Sequence, residues 1–254
     1  MYTITVANQK GGVSKTSTVM ALGACLARAG YRVLFCDCDP QANLTTTMQD
    51  GTAACTLYDV LQNGRNITDA ITPAKYGKIV PSDVRLAELN TNTNVDLRAL
   101  KSALEAVKTA FDVVLIDAPP AISVMTLYGL FAADGVLCPM LLDRYSIDGL
   151  DEFYQTFTEV KQTRKEVGVT GTFKLLGFVI SQYDKRVKLN QKILDMLTKQ
   201  ANDLKIRIYT PIRRTTAVDV WQYTGDIFAG KSTAIQDYQQ VANDLVEDIK
   251  LKRR

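Results

Sequence analysis

Apolar residues follow two different periods along this chain. Short continuous or alternating apolar runs predict β-strands at residues 2–7, 33–36, 113–116, 136–137, 173–180 and 206–208. Between these runs, apolar residues recur at helical spacing, from a helix that begins near Thr16 to one that spans residues 235–249. Strands that alternate with amphipathic helices predict an α/β protein, a doubly wound, mostly parallel sheet with helices on both faces. Residues 50–94 are the least regular.

The composition limits the possibilities without choosing a function. The chain has 254 residues, 46% of them hydrophobic, and no shift in composition, which predicts a single domain over residues 1–254. A formal net charge of +3 permits binding to an acidic polymer. No apolar run approaches the roughly 18 residues of a membrane span, and the N-terminus leads directly into a predicted strand. We therefore expect a cytoplasmic protein that does not associate with membranes.

Residue types narrow the chemistry further. The chain has no histidine, which excludes imidazole catalysis and histidine-based metal sites. Any reaction must then use carboxylates, lysines, hydroxyls and a bound ion. The cysteines stand mostly in apolar or strand-like surroundings, which predicts reduced, buried thiols at Cys25, Cys36, Cys38, Cys55 and Cys138. Cys36 and Cys38 are too close together for a two-residue-spaced metal motif, so no metal cluster is expected.

A glycine-containing turn joins the first predicted strand to the first predicted helix. Its sequence is Lys10-Gly11-Gly12-Val13-Ser14-Lys15-Thr16. Backbone N–H groups at the start of a helix can cradle phosphates, so this turn is interpreted as a phosphate loop. It departs from the pattern G-x-x-x-x-G-K-[ST] at both glycines, where Gln9 and Ser14 stand, and it carries an additional lysine at position 10. An ordinary turn before a helix is the alternative.

The loop assigns a role to each of its polar side chains. In the usual arrangement Lys15 contacts the β- and γ-phosphates, the Thr16 hydroxyl ligates Mg²⁺, and Ser17 is placed to contact the α-phosphate. The predicted nucleotide-binding residues of this segment are Gly11, Gly12, Val13, Ser14, Lys15, Thr16 and Ser17. Ser14 puts a side chain where such a loop requires a positive φ, and ATP binding is expected to survive this change.

Two carboxylate motifs follow later strands. The segment Asp37-Cys38-Asp39-Pro40-Gln41 ends the second predicted strand, where the γ-phosphate of a nucleotide would lie, and Asp39 is the residue predicted to orient the attacking water. A turn of common type is the alternative. The run from 111 to 120 is an apolar strand that ends at Asp117, a Walker B pattern in which Asp117 would hold Mg²⁺ through water. A buried strand with a capped turn is its alternative.

With these motifs in this order, the chain resembles the ParA/Soj group of partition ATPases. This group belongs to the deviant Walker A family, which also includes MinD, the nitrogenase iron protein and anion-pump ATPases. Segments 146–150, 183–186 and 210–214 also resemble partition-ATPase segments, so that the resemblance runs nearly end to end. It implies a P-loop ATPase that uses ATP and Mg²⁺ and is slow without its partner. An ATP-bound homodimer would hold nonspecific double-stranded DNA until a ParB-like centromere-binding protein stimulates hydrolysis.

The resemblance also implies residue roles that the motifs alone do not give. Lys10 corresponds to the signature lysine that crosses to the phosphates of the partner subunit, where it would act in catalysis beside Lys15 and Asp39. Pro211 falls in the loop that flanks the adenine. The chain begins at the strand before the phosphate loop, so the N-terminal DNA-binding extension of some plasmid relatives is not expected, nor is self-regulation through it.

DNA contacts are likewise implied by the resemblance. Arg186 and one of Arg213 or Arg214 fall where family members contact DNA, which would make the protein nucleoid-associated. A pairing of these arginines with a nearby carboxylate such as Asp184 or Asp219 is the alternative. The next candidates for the DNA site are Lys188, Lys231 and the tail at residues 250–254.

Two other functions stay open from the sequence. A MinD-like membrane-positioning ATPase would need a C-terminal amphipathic helix with bulky apolar residues and basic flanks, whereas this sequence ends in charge. A ParA-like ATPase that positions protein cargo would share the ATP and DNA chemistry and differ in its partner. Trp221 and Tyr223 could stack on a base, but a core or interface position is the expected role.

Overall fold

One eight-stranded sheet organises the molecule. The computed structural model describes residues 1–92 and 95–253. The strands are β1 (Tyr2–Val6), β2 (Val33–Asp37), β3 (Thr72–Ala74), β4 (Gly77–Val80), β5 (Val113–Asp117), β6 (Gly135–Met140), β7 (Lys174–Ile180) and β8 (Arg207–Ile208). Their order across the sheet is β3-β4-β2-β5-β1-β6-β7-β8, and β3 is the antiparallel one. The predicted doubly wound, mostly parallel sheet is confirmed.

Helices connect the strands and cover the sheet. They are α1 (Lys15–Arg28), α2 (Asn43–Met48), α3 (Leu57–Gln62), α4 (Ile67–Ala70), α5 (Ala99–Glu105), α6 (Val124–Ala132), α7 (Ser146–Glu166), α8 (Lys188–Asp203), α9 (Ala217–Thr224) and α10 (Thr233–Ile249). A 3₁₀ helix spans Val84–Thr91. None of the helices in this described part is both long and apolar enough to cross a membrane.

Alternate residues of each strand pack on opposite faces of the sheet. Val33 and Phe35 of β2 join a core formed with α1 and α10, while Leu34 and Cys36 join a second core under α3 to α6. A third core lies beneath α7 and α8. Both faces of the strands are therefore buried, which explains why their sequences are continuous apolar runs. All five cysteines are buried and free, as the sequence predicts.

The main departure from the sequence prediction lies in the irregular segment before residue 95. Strands β3 and β4 form a hairpin there, and β4 extends the sheet parallel to β2. The prediction for this segment reached Asn94, which with Thr93 lies outside the described residues. The hairpin escaped prediction because its strands are only three and four residues long, include Pro73 and carry exposed residues.

The parallel register places the candidate chemistry at one edge of the sheet. Val6 of β1 and Asp37 of β2 both pair with Asp117 of β5, so the ends of these three strands lie side by side. The phosphate loop follows β1, the Asp39 turn follows β2, and β5 ends at Asp117 itself. The three motifs therefore meet at the carboxyl edge of the sheet, where open α/β folds bind ligands.

Candidate functional site

The phosphate loop has the backbone conformation that its sequence predicts. Gly12 and Ser14 have φ values of 73° and 70°, and Ser14 directly precedes α1. Glycine adopts this left-handed region without a steric cost, whereas a serine there carries strain. Ser14 therefore replaces the usual glycine without changing the backbone path of the loop.

Thr16 and Asp117 form an oxygen pair that fits Mg²⁺. Thr16 Oγ1 donates a hydrogen bond of 2.7 Å to Asp117 Oδ2, while Asp117 Oδ1 is buried and has no hydrogen-bond partner within the described residues. Burial and the neighbouring Asp37 carboxylate raise the pKa of Asp117. Hydroxyl and carboxylate oxygens are ligands that Mg²⁺ prefers, usually beside phosphate oxygens. The described residues contain no group of three acidic or thiol side chains that could hold a metal alone.

Lys15 lies inside the loop with its ammonium group in a confined space. The side chain is 7% exposed, and Nζ donates a hydrogen bond of 3.0 Å to the carbonyl oxygen of Lys10. Burial lowers the pKa of Lys15, while the Asp117 and Asp39 carboxylates act in the opposite direction. A buried cation with a backbone carbonyl as its partner is well prepared to exchange that carbonyl for a phosphate oxygen.

Asp37 and Asp39 have different roles although they stand two residues apart. Asp37 is fully buried and accepts hydrogen bonds from the backbone and hydroxyl of Thr45, at 2.8 and 2.7 Å, and from the Asp39 amide at 3.0 Å. Burial raises the pKa of Asp37 to about 6 despite these bonds. Asp39 instead lines the cavity beside the phosphate loop, with one carboxylate oxygen 2.9 Å from the Gln41 amide. Asp37 therefore shapes the turn that presents Asp39.

A cavity of about 670 Å³ opens at this edge of the sheet, which is a suitable volume for a nucleotide. The predicted residues that line it are Gly11, Gly12, Ser14, Lys15, Thr16, Ser17, Asp39, Arg186, Arg213 and Arg214. Val13 and Pro211 are not among its lining residues, although Ile212 is. Sequence reasoning missed the wall that includes Gln182, Thr215, Thr216, Val218, Asp219 and Gln222. No spacing in the sequence links that wall to the loop.

Lys10 points away from the cavity. Its Nζ donates a hydrogen bond of 3.2 Å to the Tyr145 carbonyl oxygen and lies 3.9 Å from an Asp143 carboxylate oxygen. The ammonium is also 5.7 Å from the centre of the Tyr145 ring. The side chains of the two lysines thus lie in different places. Lys15 lies in the cavity of its own chain, and Lys10 lies on the surface.

The structure brings the three candidate arginines to neighbouring segments. The Arg214 amide donates a hydrogen bond of 2.9 Å to the carbonyl oxygen of Tyr183, which joins their two loops. Arg186 forms an ion pair with Asp184 at 2.6 Å, and this pairing is the alternative that the sequence left open. The Arg186 side chain is nevertheless 85% exposed. This neighbouring guanidinium lowers the pKa of Asp184 to about 2.

Arg213 and Arg214 differ in what their side chains contact. Arg213 makes a bidentate pair with the buried Asp237 of α10, with the shortest distance at 2.7 Å, and its amide also donates to that carboxylate. Arg214 is exposed, and no ion pair of its guanidinium occurs in the described parts of the chain. The geometry therefore favours Arg214 over Arg213 as the residue that is available to a phosphate.

The other candidate positions are less informative. Trp221 is buried in the core beside Tyr238, as expected, and Tyr223 is 93% exposed. In the C-terminal tail, Leu251 packs against the core and Arg253 lies over the ring of Tyr31 at 5.2 Å, so this part of the tail folds back onto the domain. Arg254, the last residue of that candidate DNA site, lies outside the described residues.

Asp117→Asn should stabilise the ligand-free protein at high pH. Because burial raises the pKa of Asp117 in the folded state, the folded protein loses stability as the pH rises from the unfolded-state pKa to that raised pKa. Asparagine keeps an oxygen for the Thr16 hydroxyl but carries no charge. We expect the variant's free energy of unfolding at pH 8 to exceed that of the wild type by about 1–2 kcal/mol, and the difference to shrink toward the unfolded-state pKa near 4.

Urea denaturation at several pH values measures this difference. A gain that is the same at all pH values, or a loss at pH 8, would contradict the buried-charge explanation. The same variant should gain little stability from Mg²⁺ and nucleotide together, because the anionic ligand for the metal is gone.

A strand, a phosphate loop with Lys15, a Mg²⁺-type oxygen pair and a cavity of nucleotide size together define a P-loop ATPase. The AAA_31 model, an AAA domain, matches residues 1–169 of the chain. The sporulation initiation inhibitor protein Soj of Bacillus subtilis is 32% identical over 216 residues, which are 82% of this chain and 83% of that protein. The chromosome-partitioning ATPase Soj of Thermus thermophilus is 36% identical over 190 residues, 75% and 73% of the two chains. The chain belongs to the ParA/Soj family of ATPases.

Solved structures agree with this fold. Cobyrinic acid a,c-diamide synthase from Mycobacterium smegmatis, with bound ADP and magnesium, superposes with a TM-score of 0.81 at 30% identity, covering 98% of this chain and 96% of that one. An ATP complex of McdA from Cyanothece superposes with a TM-score of 0.82 over 100% and 98% of the two chains, and at 23% identity it supports the fold alone. The predicted family, its ATPase class and its use of ATP and Mg²⁺ are confirmed at this level.

Proposed function

We propose that this chain is a DNA-partition ATPase whose ATP-bound homodimer holds nonspecific double-stranded DNA and releases it after hydrolysis. Its relatives include proteins named for chromosome partitioning, at 33 and 36% identity. The observation that carries the proposal is the separation of the two lysines, Lys15 inside its own cavity and Lys10 outside it. A phosphate-binding lysine that its own subunit does not use is suited to the nucleotide of a second subunit.

The residues around the cavity divide the work on ATP. Lys15 and the loop amides bind the phosphates, while Thr16 and Asp117 hold Mg²⁺, which when bound offsets charge on the phosphate oxygens. Asp39 lines the same cavity and orients the water that attacks the γ-phosphate. Its carboxylate is fixed from one side by the Gln41 amide, so that its direction is set before ATP binds.

Lys10 completes the site of the partner subunit. To do so it must leave the Tyr145 carbonyl and Asp143, contacts in which its side chain is 39% exposed. Exposed contacts of this kind are weak, so that the exchange for a phosphate charge is favourable. A cation supplied from another subunit can raise the rate of phosphoryl transfer by about 10³ to 10⁵. Hydrolysis removes the γ-phosphate, weakens this contact and dissolves the dimer.

Arg186 and Arg214 provide the DNA contacts. Both are exposed, lie on joined loops and carry charges that can reach a phosphate backbone. The Arg186–Asp184 pair is an exposed interaction within one turn and is too weak to withhold the arginine from DNA. Binding through backbone phosphates is independent of sequence, as transport over a nucleoid requires. A ParB-like centromere-binding protein is the proposed stimulator of hydrolysis, and the nucleoid of the cytoplasm is the proposed location.

Two related functions make different predictions. A positioner of protein cargo would retain every ATP and DNA step and differ only in its partner. A MinD-like membrane ATPase would need a free apolar helix face, whereas Tyr238, Val241 and Leu245 of α10 are buried in the core. We also propose that residues 1–254 form one domain, which a single cooperative unfolding transition would support.

Lys10→Ala should separate nucleotide binding from dimerisation. Its own-chain contacts lie outside the cavity, so ATP should still bind to the monomer. Only the contact with the partner's phosphates is lost, and the ATP-dependent dimer should disappear on a sizing column with light scattering. Lys165→Ala, which removes an exposed lysine in the last turn of α7, is a suitable control that should still dimerise. A Lys10→Ala protein that dimerises normally with ATP would argue against this role.

A further inference from the structure

Helix α9 forms a wall of the cavity that no motif of the sequence identifies. Val218, Asp219 and Gln222 of this helix line the same cavity as the phosphate loop. The same helix buries Trp221 in the core, where the side chain is 1% exposed. The cavity-facing residues of α9 are therefore held on a rigid element rather than on a mobile loop.

Gln222 is fixed from two sides. Its side-chain Nε2 donates a hydrogen bond of 2.6 Å to Ser17 Oγ in the first turn of α1. Its backbone carbonyl accepts a hydrogen bond of 2.9 Å from Thr47 Oγ1 of α2. Lys75 adds a bond to the carbonyl of Thr224 at the end of the same helix. The amide thus has a defined direction in the absence of any ligand.

The geometry at Ser17 determines what this bond does. Ser17 is 1% exposed and lines the cavity beside Lys15 and Thr16. Its oxygen accepts from Gln222, and no hydrogen bond donated by its hydroxyl occurs among residues 1–92 and 95–253. A hydroxyl has one proton to donate, and an accepted bond restricts the direction of that proton. The proton is therefore available to a ligand in the cavity.

We propose that Gln222 is a positioning residue for nucleotide binding, because its amide directs the Ser17 hydroxyl toward an α-phosphate oxygen. This inference rests on the proposed function, in which Ser17 contacts that phosphate. The α-phosphate is present in both ATP and ADP and takes no part in hydrolysis. Loss of the bond should therefore weaken both nucleotides equally and raise KM without changing kcat.

Two substitutions at position 222 test the direction of the bond. Gln222→Ala removes the donor and should raise the dissociation constants of ATP and ADP, measured by calorimetry with Mg²⁺, about fivefold. Gln222→Glu keeps the shape of the side chain. Its carboxylate, however, accepts a hydrogen bond from the Ser17 hydroxyl, which turns that proton away from the ligand, and it adds negative charge near the phosphates. It should therefore weaken binding more than alanine, about twentyfold. Unchanged dissociation constants of both nucleotides in Gln222→Ala would overturn the proposal.

A double-mutant cycle tests whether Gln222 acts through Ser17. Ser17→Ala should weaken both nucleotides about tenfold, and adding Gln222→Ala to it should cause no further loss. Independent, additive losses would overturn the proposal. Tyr223→Ala is the matched control on α9, since its exposed side chain should leave both affinities unchanged.

Failure of the inference is distinguishable from failure of the proposed function. If Lys15→Ala abolishes ATP binding while Gln222→Ala leaves both affinities and KM unchanged, the site stands and only the role of Gln222 is wrong. If Lys15→Ala also binds ATP normally, the phosphate-loop assignment fails and the inference falls with it.

Discussion

Lys15→Ala should lose at least about 100-fold in ATP affinity. The ammonium is confined in the cavity, and its hydrogen-bond partner among residues 1–92 and 95–253 is the Lys10 carbonyl oxygen. Hydrogen bonds to charged groups are each worth about 1.5–3 kcal/mol, and Lys15 is placed to reach two phosphates. Because ligand binding stabilises the folded state, ATP and Mg²⁺ should raise the Tm of the wild type but not that of the variant.

The ligand-free stability of this variant provides its control. Burial lowers the pKa of Lys15, so removing the cation should not unfold the protein. Lys10→Ala offers a second comparison within the same loop, since it should keep the ATP affinity of the monomer. An unchanged ATP dissociation constant in Lys15→Ala would refute the assignment of the phosphate loop.

The double change Arg186→Ala and Arg214→Ala should reduce DNA affinity about 10³-fold near physiological salt. Four phosphate contacts are lost across a dimer, and each released contact changes the slope of log affinity against log salt by about 0.9. The slope should therefore fall by roughly four, and one single change by roughly two. The loss should be uniform over DNA sequences, because backbone contacts carry no sequence information.

Asp184→Asn is the matched control for these arginines. It frees Arg186 from its 2.6 Å partner and removes a negative charge near Arg214, so DNA affinity should rise. ATP affinity must be measured in parallel, since both arginines also line the nucleotide cavity. Loss of ATP binding in the double variant would assign the arginines to the nucleotide. An unaltered salt slope would move the DNA site toward Lys188 or Lys231.

The sequence predicted those parts of the site that depend on local order along the chain. Lys15 follows a glycine turn, and Asp117 ends a buried strand, so that a fixed pattern of residue types reveals each. The parallel register then brings Asp39 and Asp117 to the same sheet edge without further information. Local patterns did not predict the hairpin of β3 and β4, because these short strands include exposed residues and show no regular period of apolar positions.

Contacts between distant segments were beyond the reach of sequence patterns. The bond between Ser17 and Gln222 spans 205 residues, and no repeat or spacing indicates it. The ion pair between Arg213 and Asp237 is another such contact. In the sequence Arg213 and Arg214 are equivalent, and only the packing of their loop against α10 distinguishes them. The nucleotide-binding roles of Pro211 and Val13 stay predictions, since neither residue lines the cavity in this structure.

Co-sedimentation of Asp39→Ala tests the central claim most directly. This change removes the water-orienting carboxylate but leaves Lys10, Lys15 and the Mg²⁺ ligands in place, so the ATP-bound dimer should accumulate. The protein should be mixed with duplex DNA in one tube and anionic liposomes in another, each with and without ATP and Mg²⁺. We predict a pellet with DNA only, and only when ATP is present. A pellet with liposomes, or DNA binding that ignores ATP, would contradict a nucleotide-controlled DNA-partition ATPase.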